Sequence, residues 1–74
     1  LAYEVGRCLL REILDNKGMK QSDLAVRLNV TKQQINKYAQ DKQRMSLEVA
    51  KNIAVILDCH IEDLYQWDVV GNNE

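Results

Sequence analysis

Two short stretches of helical periodicity stand end to end near the middle of the chain, and the few residues joining them constrain the fold more than any other feature. The first, residues 21–28, sets Leu24, Ala25 and Leu28 on one face. The second, residues 32–39, turns Ile35 and Tyr38 inward, with Val30 just ahead of it. Asn29 stands at the junction, and asparagine tolerates positive φ better than any residue except glycine. So short a connection cannot join long helices as an antiparallel hairpin. The chain must turn sharply and cross itself at a steep angle, roughly 90–120° in a helix-turn-helix. Ala25 is small where the second of these helices has to pass close over the first.

The flanking segments supply the core. In residues 1–16, Leu1, Val5, Cys8, Leu9 and Ile13 recur at three- and four-residue spacing, widened by Leu10 and Leu14, and predict a first helix. Lys17 and Gly18 close it, with Asn16 or Gly18 able to take the left-handed conformation. Lys20 stands where a hydroxyl cap would be expected for the second helix. The pattern Thr31-x-x-Gln34 is a capping box for the third. After a polar loop at 40–45, Ser46 caps a fourth helix over 47–57, with Leu47, Ala50, Ile53, Ala54 and Leu57 as its inner stripe and Asp58 as its stop. A short fifth helix is expected at 61–67, capped by His60, with Ile61, Leu64 and Tyr65 inward. Residues 71–74 read as a frayed tail, leaving 1–70 as a single domain. The expected fold class is therefore all-α, with five helices and no strand.

A chain of 74 residues allows one small core. Domains of this size bury only about 60% of their unfolded surface, so association often supports them. Proline and phenylalanine are absent and there are three glycines, a composition that favours helices over a β-sandwich. No apolar run is long enough to span a membrane, and no signal-peptide pattern is visible. Cys8 and Cys59 lack metal-ligand spacing and fall at apolar-periodic positions, as reduced thiols of a cytoplasmic protein would. The single histidine and the lack of CxxC, HExxH or a Gly-rich phosphate loop argue against a metal, a nucleotide cofactor or an enzyme.

The net charge of −1 hides a division. Residues 17–44 carry Lys17, Lys20, Arg27, Lys32, Lys37, Lys42 and Arg44 against Asp23 and Asp41, a balance of +5. Residues 46–74 carry Lys51 against Glu48, Asp58, Glu62, Asp63, Asp68 and Glu74, a balance of −5. This asymmetry points to one basic working face and one acidic end. The third helix is the polar exception among apolar neighbours. Whatever its core contacts do not require is a hydrogen-bonding group: Lys32, Gln33, Asn36 and Lys37.

These residues resemble the Cro/C1-type helix-turn-helix domain, the XRE family of phage and bacterial repressors. The resemblance is carried by "KGMKQSDLAVRLNVTKQQINKY" and "SLEVAKNIAVILDCHIEDL", and it covers about residues 9–66. It implies a lambda-repressor-like DNA-binding fold whose helices 2 and 3 form the motif, with the recognition helix at 31–39 lying in the major groove. By this resemblance Lys32, Gln33 and Lys37 fall at base-reading positions, with Asn36 as their neighbour. Glutamine pairs with adenine N6/N7 and lysine with guanine O6/N7. Gln21 matches a phosphate contact at a helix N-terminus, and Thr31, Gln34, Lys42 and Arg44 are assigned to the DNA backbone. The family's paired Arg and Glu are replaced together by Leu14 and Ala39. That exchange leaves no lone buried charge. Its turn glycines are replaced by Asn29 and Asp41.

Relatives of this type usually dimerise over half-sites one DNA turn apart. Trp67, Val69 and Val70 are the surface expected to mediate a homodimer here, against the alternative that Trp67 folds back over its own helix. The function implied is sequence-specific binding of double-stranded DNA by a small transcriptional regulator, a repressor. The competing reading is an antitoxin- or anti-repressor-type module whose acidic C-terminal half binds a regulatory protein partner.

Overall fold

The computed structural model describes residues 2–71. Leu1 and residues 72–74, the bulk of the expected tail, lie outside the described residues. Along the chain the elements are strand β1 (Ala2–Cys8), helices α1 (Leu10–Lys17), α2 (Gln21–Leu28), α3 (Lys32–Ala39) and α4 (Leu47–Leu57), a 3-10 turn at Ile61–Leu64, and strand β2 (Tyr65–Val70). The five-helix, all-α expectation is therefore corrected to four α-helices with a two-stranded antiparallel sheet. The first predicted helix begins only at Leu10, and the predicted fifth is one tight turn followed by a strand.

The physical reason lies in the two chain ends. Short apolar runs fit helical and extended periods almost equally well. Gly6 weakens a helix through residues 1–9 by about 1 kcal/mol relative to alanine. Tyr3 and Val5, like Tyr65, Trp67 and Val69, are aromatic or β-branched residues at alternate positions, which suits a pleated surface. What decides between the two is the partner strand, and it lies at the far end of the chain. Ala2 pairs with Val70, Tyr3 with Val69, Glu4 with Asp68, Val5 with Trp67 and Cys8 with Tyr65, and the register shifts between Val5 and Cys8. A Cβ on Gly6 would lie 2.9 Å from the Gln66 carbonyl oxygen, so the strands approach closely at this shift.

All four helices stop in the same way. A left-handed residue follows each: Gly18, Asn29 and Asp58 directly, and Asp41 after one intervening residue, Gln40, with φ of 66°, 62°, 57° and 61°. The amides there and one residue later reach back to carbonyls of the last turn. Examples are Val30 to Ala25 at 3.0 Å, Lys42 to Lys37 at 2.9 Å and Cys59 to Ala54 at 2.9 Å. This is the Schellman closure, which satisfies carbonyls the helix leaves unpaired. Starts are more varied. Ser46 Oγ accepts from the Val49 amide at 3.1 Å, as expected. His60 does not cap with its side chain; instead Asp63 reaches back to accept from the His60 amide at 2.9 Å. Asp23 does the same for the Lys20 amide at 3.2 Å, which compensates for the missing hydroxyl cap.

One core joins these elements. Leu10, Leu14, Leu24, Ile35, Ile53, Leu57 and Leu64 are buried in it, with Cys8 and Tyr65 from the root of the sheet. Full burial of each aliphatic side chain stabilises by about 1.5–3 kcal/mol. Leu14 and Ala39 are both members of this core, and no polar or charged side chain is buried among the described residues. Leu47 does not belong to it. At the first position of α4 it is 76% exposed, while Met45 and Val49 take the inward places around it. Val30 is also more exposed than its assigned role implied.

Candidate nucleic-acid interface

Because α2 packs against both α3 and α4, the apolar side of α3 is consumed by the core through Ile35, Tyr38 and Ala39. The remaining side faces out. Lys32, Gln33, Asn36 and Lys37 border one open groove together with Lys42 from the following loop. A neighbouring groove runs from Lys32 and Asn36 across to Lys20, Gln21 and Ser22 at the start of α2, with Arg11 beside them. Residues separated by one helical turn on α3, and by the helix-turn-helix crossing, are thus brought onto one surface.

Local hydrogen bonds divide the polar residues of α3 into two kinds. Thr31 Oγ1 accepts from the Gln34 amide at 3.1 Å and starts the helix. The reciprocal half of the expected capping box is absent: Gln34 Nε2 donates to Gln43 Oε1 at 3.1 Å, tying the helix to the loop beyond its other end. Asn36 Nδ2 donates to Gln21 Oε1 at 3.2 Å. That bond orients Asn36 and leaves both amide hydrogens of Gln21 and the Oδ1 of Asn36 unspent. Lys32, Gln33 and Lys37 make no side-chain hydrogen bond among the described residues, and all three are exposed.

The electrostatics favour an anion. The ion pair found among the described residues joins Arg7 and Glu12 at 2.6 Å, on exposed side chains outside α3 and its loop. Its hydrogen bond raises the Arg7 guanidinium and lowers the Glu12 carboxyl from their ordinary values. Lys32, Lys37, Lys42 and Arg44 carry positive charge without such a partner among the described residues. Neither thiol belongs to a site: Cys8 and Cys59 are free, burial pushes both upward, and no cluster of metal-ligating side chains occurs among the described residues. Among the described residues no helix is long and apolar enough to cross a membrane.

The C-terminal surface is arranged differently from its expected form. Cross-strand partners share a face of a sheet. Trp67 and Val69 therefore stand with Val5 and Tyr3 on one apolar face, whereas Val70 stands with Ala2 on the other, beside the Glu4–Asp68 pair. Tyr3 is 68% and Trp67 45% exposed, although the Trp67 indole donates to the Glu62 carbonyl at 3.0 Å and so folds partly back. Sequence reasoning missed Tyr3, whose neighbours it had assigned to a helix. It also missed the ties made by Asp41, Gln43 and Tyr65. For Asp41 a signal was present, in its place just past the recognition helix where a glycine is usual.

A short helix crossing a second over a three-residue connection, its free side lined with cations and amides, defines a helix-turn-helix domain whose exposed charge suits a polyanion. The comparisons agree. The model of the Cro/C1-type HTH DNA-binding domain matches residues 9–69, and the chain belongs to that family. The chain is also 39% identical over 70 residues, 93% of its length and 95% of the relative's, to the "SPbeta prophage-derived uncharacterized HTH-type transcriptional regulator YopS" of Bacillus subtilis (strain 168).

Proposed function

We propose that this DNA-binding domain acts as a small transcriptional repressor, laying α3 in the major groove of duplex DNA. Lys32, Gln33, Asn36 and Lys37 meet base edges. Gln21, Lys42 and Arg44 meet backbone phosphates, and Thr31 and Gln34, already committed to capping and to Gln43, meet the backbone at most through their remaining lone pairs and hydrogens. The observation that carries this reading is the single groove bordered by Lys32, Gln33, Asn36, Lys37 and Lys42, whose cations have no ion-pair partner among the described residues. A regulator that occupies its site needs nothing more than this face to exclude another protein from the same DNA, which favours repression. Such a role sets the protein in the compartment that holds the DNA, the cytoplasm.

One domain covers about half of a two-fold operator, whose half-sites lie about 34–36 Å apart. The apolar sheet face of Tyr3, Val5, Trp67 and Val69 supports a homodimer, because aromatic anchors of this kind are enriched at interfaces. The regulator's family and its relative weigh towards DNA and away from a purely protein-binding role for the acidic half.

Selection of bound sequences from a pool of random duplex DNA tests the main reading. A recovered consensus should bind with log K falling by about 0.9 per phosphate neutralised as log salt rises. Lys37→Ala should then relax preference at one base position by about 1–3 kcal/mol. Failure to recover any consensus, or uniform loss across all sequences on that substitution, would remove Lys37 from the base-reading set. For the dimer, Trp67→Ser with Val69→Ser should leave a folded monomer by sedimentation at micromolar concentration; an unchanged dimer rejects this face.

A further inference from the structure

The stretch 41–45 of the loop after α3 alternates in a way that its function has not yet explained. Its odd-numbered residues are tied down. Both carboxylate oxygens of Asp41 lie 3.1 Å from the Cys8 amide, which donates to them from the root of β1. Gln43 accepts from Gln34. The Met45 amide donates to the Tyr65 hydroxyl at 3.0 Å, a buried bond from the root of β2, and the Met45 side chain is in the core. Its even-numbered residues, Lys42 and Arg44, are exposed cations flanked on both sides by these ties.

Cys8 and Tyr65 are themselves cross-strand partners. The two bonds therefore grip the loop from a single rung of the sheet. Asp41 also takes the left-handed position that glycine usually holds at a helix stop. A non-glycine residue there is strained, and the carboxylate contact is the return for it: glycine would close the helix equally well but could not reach Cys8.

We propose that Asp41 and Tyr65 are positioning residues, holding the loop in the shape that presents Lys42 and Arg44 to the DNA backbone, so that the sheet root sets the phosphate contacts made beside the recognition helix. Immobilising a long side chain at an interface costs binding free energy, and a loop ordered before the encounter avoids part of that cost. This inference rests on the DNA-binding reading above.

The test uses the full chain and a duplex recovered by the selection, with Kd measured by fluorescence anisotropy between about 50 and 200 mM salt. Asp41→Asn and Asp41→Gly both remove one negative charge beside the DNA, and both tolerate a left-handed backbone. Only Asn keeps a side-chain oxygen for the Cys8 amide. By charge alone both should bind more tightly than the original protein. The proposal expects Asp41→Asn to bind at least as well as the original and Asp41→Gly to bind about three- to tenfold more weakly than Asp41→Asn. Tyr65→Phe, which deletes only the hydroxyl, should weaken binding by a similar factor.

In a Lys42→Ala, Arg44→Ala background these differences should vanish. A merely structural role would instead lower the unfolding temperature and leave equal losses in both backgrounds. Should Asp41→Gly fail to fold by circular dichroism, Tyr65→Phe carries the same comparison. Equal affinity of Asp41→Gly and Asp41→Asn, or losses that persist without the two cations, overturns the positioning role alone. A wild-type chain that binds no duplex overturns the DNA-binding reading and this inference with it.

Discussion

The helical bundle and the two-stranded sheet use apolar residues in opposite ways. In the bundle, Leu10, Leu24, Ile35, Ile53 and Leu57 are withdrawn almost completely from water. In the sheet, only the root, Cys8 and Tyr65, reaches the core, while Tyr3, Trp67, Val69 and Val70 remain substantially exposed. A two-stranded ribbon is marginal by itself in water. This one is anchored at its base by the Leu9 amide to the Leu64 carbonyl at 2.8 Å and by the two ties to the loop after α3. The bundle is thus held by burial and the ribbon by attachment. Stability resides in the first, while the second keeps an exposed apolar face and reaches the loop after α3 through its root.

The largest effect that could break this comparison is a truncation in each region. Ile35→Ala should destabilise by about 2–5 kcal/mol in urea unfolding, through lost burial and the cavity left behind. Val69→Ala, measured at a concentration low enough for the monomer, should change stability by no more than about 0.5 kcal/mol. Comparable losses would mean that the ribbon is an integral part of the core.

A smaller effect sharpens how the ribbon is built. Gly6→Ala places a methyl group against the Gln66 carbonyl, and the strands must separate or shift to receive it. The expected cost is about 1–3 kcal/mol. It should fall on the sheet, with loss of the Tyr3–Val69 cross-strand contact in NMR spectra while the signals of α2 and α3 stay in place.

The smallest effect concerns pH at the rung where the two regions meet. Burial raises the Cys8 thiol above its ordinary value. The folded state therefore keeps its proton after the unfolded chain has lost it. The stability this contributes is complete below the unfolded value, about 8.5, and is lost as pH rises through the folded one. Unfolding free energy should decline on the alkaline side of that point. Cys8→Ala should flatten the decline, leaving the part owed to Cys59 and, at higher pH, Tyr65, both of which burial shifts in the same direction.

The legible parts of the fold were those in which neighbours in sequence are neighbours in space. The inner faces of α2 and α3 followed from Leu24, Ala25, Ile35 and Tyr38, and the stops at Asn29 and Asp58 from residues that tolerate positive φ. The caps at Thr31 and Ser46 were equally local. So was the gathering of Lys32, Gln33, Asn36 and Lys37, because one helix face at one turn's spacing is enough to collect them. Leu47 failed for a complementary reason: its spacing fits the α4 stripe, but at the first position of the helix no neighbouring element covers it.

What only the tertiary structure decided are the pairings between distant residues. Extended rather than helical backbone at residues 2–8 depended on a complementary strand more than fifty residues away, and no local period reports that. The same distance hid Asp41 from Cys8 and Tyr65 from Met45, which lie 33 and 20 residues apart. By itself the sequence determined a helix-turn-helix with a cationic, amide-rich face, since helical periodicity and capping act within a few residues. The sheet, the split of Trp67 and Val69 from Val70, and the grip on the loop beside that face required the chain ends to meet. Their cost and reward are settled by the packing of the whole molecule, not by any one segment.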